Sequence, residues 1–69
     1  MLYTLVNALN YYLKACQNAQ DKRTQRTFCD QAFGAAQYHI VLFPKDQEKV
    51  ETLWDDYKSQ FEKIIYGWG

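Results

Sequence analysis

DQEKVETLWDDYKSQFEKIIY, residues 46–66, is the stretch on which the fold of this chain turns. Val50, Trp54, Tyr57, Phe61, Ile64 and Trp68 recur at steps of 4, 3, 4, 3 and 4 residues. Leu53 and Ile65 widen this stripe to about 120° of a helix circumference. Every other position from Glu51 to Lys63 is polar. A 3.6-residue period with a polar remainder predicts an amphipathic α-helix. Its ends are marked as well. Asp46 is suited to N-cap, because its carboxylate can accept from an unpaired backbone N–H. Glu48 and Glu51 sit near the positive end of the helix dipole, and Lys58 and Lys63 near the negative end. Gly67 suits the left-handed residue that closes a helix.

Working upstream, Pro44 is the only proline. The residue before a proline avoids the helical region, so Pro44 ends whatever precedes it. That segment is predicted as a helix over 22–43. Phe28, Ala32, Ala35, His39 and Leu42 share one face. Cys29, Phe33, Ala36 and Ile40 form a second face about 100° round. Gly34, Tyr38 and Val41 add a third, partly apolar strip. The last turns, Tyr38-His-Ile-Val-Leu-Phe43, are apolar nearly all round. Such a helix needs cover on every side. Either it is central between two helices of its own chain, or it packs on another chain. Alanines at 32, 35 and 36 permit close helix approach. Gly34 costs about 1 kcal/mol against alanine in a helix, which predicts a packing reason for it. The run 38–43 also has strand composition, with Pro44 and Lys45 after it as gatekeepers.

The first segment is predicted as a helix over 2–18. Leu2, Leu5, Val6, Leu9, Leu13 and Cys16 fall within an arc of about 100°. From Gln17 to Thr27 no large apolar side chain occurs. Projected forward, the stripe meets Gln20, Arg23, Thr27 and Asp30 and misses Phe28 and Ala32. That slip of phase predicts a turn within Asn18–Lys22, capped by Asn18 or Asp21. The alternative is one unbroken helix from Leu2 to Phe43, which no glycine or proline before Gly34 forbids.

Sixty-nine residues make one domain. A core that small is marginal, and such domains usually add disulfides, a metal or self-association. Cys16 and Cys29 are the only cysteines and His39 the only histidine. This excludes a disulfide-dense scaffold and leaves no ligand spacing for structural zinc. Six Tyr, four Phe and two Trp favour a subunit interface instead. Net charge is zero, which argues against a strongly basic nucleic-acid module. Residues 1–44 carry Lys14, Lys22, Arg23 and Arg26 against Asp21 and Asp30, a balance of +2. Residues 45–69 carry the remaining four lysines against six acids, a balance of −2. The N-terminal run lacks a basic flank and is broken by Asn7 and Asn10, so it reads as helix and not as a signal peptide. No apolar run is long enough to span a membrane. The expected location is cytoplasmic, with both thiols free.

No catalytic motif is present, neither a nucleophile elbow nor a glycine-rich phosphate loop. Glu51, Asp55 and Asp56 fall on the solvent side of their helix and lack the inward ExxH pattern of a di-metal bundle. His39, on an apolar face, reads as an interior histidine bonded to a tyrosine or a backbone carbonyl, with a ligand pocket beside it as a weaker reading. Lys14, Lys22, Arg23 and Arg26 are the candidate phosphate contacts. Tyr3, Tyr11, Tyr38 and Tyr66 lie off the stripes and suit an interface.

The sequence therefore predicts an all-α fold: a three-helix bundle or helical hairpin completed by dimerisation. The expected function is a non-catalytic protein–protein interaction or regulatory module, with no cofactor and no metal. Its expected interface is Phe33, Gly34, Tyr38, Ile40 and Val41, facing a second copy or another protein. The alternative is a small nucleic-acid-binding protein that uses Lys14, Lys22, Arg23 and Arg26.

Overall fold

A computed structural model describes residues 2–67 of the chain. It contains three packed helices: α1 (Leu2–Asn18), α2 (Lys22–Leu42) and α3 (Gln47–Tyr66). A short 3-10 turn, Pro44–Asp46, joins α2 to α3. Trp68, the last member of the predicted α3 stripe, lies outside the described residues.

The first turn falls where the apolar phase slips. Asp21 has extended backbone angles, φ −130° and ψ 158°. Its Oδ1 accepts the Thr24 N–H at 2.7 Å, and its Oδ2 accepts the Thr24 hydroxyl at 3.2 Å. These bonds satisfy a donor that the first turn of α2 leaves free. On the other side, the Ala19 N–H reaches the carbonyls of Ala15 at 3.0 Å and Cys16 at 3.2 Å, which closes α1.

The second corner is tighter. Phe43, held before Pro44, leaves the helix at φ −133° and ψ 74°. Its N–H still closes on the His39 carbonyl at 2.8 Å, and the Asp46 N–H closes on the Phe43 carbonyl at 2.9 Å. Asp46 occupies the N-cap position of α3, but its side chain caps nothing. The 3-10 turn sets Asp46 at φ −89° and ψ 0°, away from the extended geometry that aims a cap side chain at its helix. At the far end, Gly67 closes α3 in the left-handed region (φ 70°), its N–H on the Lys63 carbonyl at 2.9 Å.

α2 runs antiparallel to both α1 and α3, so each helix touches the other two. The core takes Leu5, Leu9, Leu13 and Cys16 from α1 and Val50, Tyr57, Phe61 and Ile65 from α3. On α3 the centre of the stripe is shifted: Ile65 is buried, while Ile64 and Trp54 are half-buried. Trp54 bridges outward, its ring 5.4 Å from Phe33 and 6.1 Å from Phe61. Tyr57 donates its hydroxyl to the Asn10 side chain and ties α3 to α1.

α2 departs most from its reading. Its buried line is Ala32, Ala36 and His39, which falls between the two expected apolar faces. Small side chains let α2 settle closely on the stripes of α1 and α3; Phe28 and Ile40 lie half-buried at the edges of that line, and the other large apolar residues turn outward. Phe33, Tyr38, Val41, Leu42 and Phe43 are exposed. α2 is therefore not covered all round by its own chain. Gly34 is exposed as well, and a Cβ placed there would meet no heavy atom within 4 Å. The packing reason expected for this glycine is not found within its own chain.

Candidate functional site

The last turn of α2, the proline corner and the first turns of α1 form one end of the bundle. His39 is buried there. Its Nε2 lies 3.0 Å from Oδ2 of Asp46. An ionised carboxylate only accepts, so the Nε2–H donates. The partner is thus a carboxylate across the corner, not the tyrosine or backbone carbonyl expected. The His39 hydrogen bond holds the Asp46 carboxyl below its ordinary range. The imidazole also lies against the Phe43 ring, centroids 4.9 Å apart.

Beside this pair runs a groove of about 410 Å³ between α1 and α2. Thr4, Leu5 and Ala8 line it from α1, and Ala35, Tyr38, His39, Leu42 and Phe43 from α2 and its end. Ala35, His39 and Leu42 share one face in the sequence, but the sequence reading leaves out Thr4 and Ala8. A signal was present: Thr4, Ala8, Tyr11 and Ala15 step by 4, 3 and 4 along α1, a second line of small or apolar residues beside the leucine stripe.

The expected interface residues divide. Phe33, Gly34, Tyr38 and Val41 are exposed, whereas Ile40 is half-buried against the core. Phe33 leans towards α3 on Trp54. Tyr38 instead faces the α1/α2 groove. The five do not form one flat patch.

The basic residues are exposed and are not gathered into one groove. Lys22, Arg23 and Arg26 occupy the first turns of α2, and Lys14 stands on α1. The Arg26 guanidinium sits 5.6 Å from the centre of the Tyr66 ring, a cation–π contact. Arg26 and Lys58 line the α2/α3 groove together with Asp30 and Glu62, so its charge is balanced.

Neither thiol is activated. Burial pushes the pKa of Cys16 up, and burial followed by the nearby Asp30 carboxylate does the same for Cys29. Cys16 instead donates weakly to the Gln25 carbonyl at 3.5 Å. Among the described residues no group of three or more His, Cys, Asp or Glu side chains is placed to hold a metal ion. No helix there is long and apolar enough to cross a membrane.

No family model, curated protein or solved structure matches the chain.

Proposed function

We propose that the chain is a non-catalytic helical interaction module that works as a homodimer. One observation carries this reading. Tyr38, Leu42 and Phe43, at the end of α2, keep 64, 52 and 45 % of their surface exposed. Single exposed apolar residues are ordinary, but a cluster of three large ones suits a contact surface. The alanine face that α2 turns inward explains why they are left over. Two inert thiols, Cys16 and Cys29, fit a reducing, cytoplasmic setting.

The test is the mass in solution across a wide concentration range, for wild type and Tyr38→Glu. Wild type is expected at twice the chain mass and Tyr38→Glu at the chain mass, with helix content unchanged. A wild type that stays monomeric at high micromolar concentration removes the reading.

A further inference from the structure

The three grooves between helices differ in charge. The α1/α3 groove is edged by Lys45, Glu48 and Lys49. The α2/α3 side carries Arg26, Asp30, Lys58 and Glu62 at one end and Glu51 and Asp55 at the other. The α1/α2 groove is lined by no Asp, Glu, Lys or Arg. His39, which lines it, is bonded to Asp46 at the proline corner. We infer that a second copy of this chain docks in the α1/α2 groove through Thr4, Ala8, Ala35, Tyr38, Leu42 and Phe43, and not on the outer face of α2 that carries Gly34 and Val41, with Tyr38 at the border of the two; this rests on the dimer reading above.

Three physical arguments carry it. A two-fold contact sets a patch against itself, so each charge near the axis meets its own like. The α1/α2 groove avoids that conflict. The same symmetry demands a ridge and a trough within one patch. The large exposed side chains of Tyr38, Leu42 and Phe43 and the small ones of Thr4, Ala8 and Ala35 line the same groove, which supplies both kinds of relief. Gly34 and Val41, on the outer side of α2, line none of these grooves. Area is the third argument. Tyr11, 68 % exposed and on the Thr4–Ala8 line of α1, extends the patch. With Tyr38, Leu42 and Phe43 it leaves on the order of 400 Å² of apolar surface in water. A standard interface takes about 800 Å² from each partner, somewhat over half of it apolar. The patch matches that apolar share.

Charge-swapped pairs test the inference. Thr4→Glu/Leu42→Glu and Thr4→Lys/Leu42→Lys should each sediment as monomers while keeping helical circular dichroism. Mixed one to one, they should regain the dimer mass, because opposite charges then face each other across the contact. Val41→Glu/Gly34→Gln should stay dimeric. Tyr11→Glu, at an exposed site that tolerates charge, should weaken association by about tenfold and serves if a double variant fails to fold. A dimer that Val41→Glu/Gly34→Gln dissociates and the groove variants do not would keep the dimer reading and overturn the groove. Failure of the mixture to pair while wild type is dimeric would overturn the self-facing geometry. A monomeric wild type would remove both readings.

Discussion

Gly34 stands in the middle of α2 with open space where a side chain would be. In the monomer it contributes only its conformational freedom, which folding must remove. Gly34→Ala is expected to stabilise the monomer by about 1 kcal/mol. Thermal melts at high dilution should show a rise of roughly 4–8 °C. Asp46 supplies a second prediction. Its carboxyl titrates below the ordinary 3.8 because the His39 Nε2–H holds the ionised form. The folded state therefore binds this proton less tightly than the unfolded state does. The stability it contributes is complete above the ordinary carboxylate range and is lost as pH falls through 3.8 and below. Asp21, lowered chiefly by the Thr24 backbone N–H, acts in the same direction. Denaturant titrations from pH 5 down to about 2 should show stability declining, and Asp46→Asn should flatten part of that decline. The role of Asp46 was hard to read in sequence for a physical reason. One carboxylate had two claimants, the free N–H groups of α3 and an imidazole seven residues earlier, and only the nearer claim is visible along the chain.

At the scale of elements, α1 and α3 were legible because large apolar residues repeat on one face of each. α2 was legible as a helix but not in its orientation. Hydrophobic periodicity weighs Phe33 and Leu42 heavily and alanine lightly. The packing does the reverse, since the smallest side chains permit the closest approach of helix axes. Ala36→Leu is accordingly expected to cost about 1–3 kcal/mol through overpacking. Urea unfolding of Ala36→Leu against wild type checks this, and an unchanged midpoint would contradict the placement of that face. The α1–α3 tie is milder. Tyr57→Phe removes one hydrogen bond to an exposed asparagine, so about 0.5–1.5 kcal/mol is expected from the same measurement.

For the whole molecule, stability is spread over few large side chains. Phe61 and Leu9 are fully buried. Phe61→Ala should cost about 3–5 kcal/mol. A domain of this size has roughly 3–10 kcal/mol in total. Dilute Phe61→Ala is therefore expected to be largely unfolded near 37 °C by circular dichroism. The class of fold was readable because three periodic segments and one proline leave few arrangements. The groove was not, because it is made by the meeting of α1 and α2. Thr4 and Ala8 look unremarkable on their own helix and become part of a groove only when Tyr38 and Leu42 stand beside them.

The two corners, each only a few residues long, also govern how quickly the bundle assembles. Each helix meets its neighbour in sequence, so little chain entropy is lost before a contact forms. Proteins built from such local contacts refold in microseconds to milliseconds. The outward side chains at the end of α2 then reach the surface of a finished monomer before a second copy arrives. Rapid-mixing refolding should show one fast phase that does not change with protein concentration. A slower phase should follow, with a rate that falls as the protein is diluted.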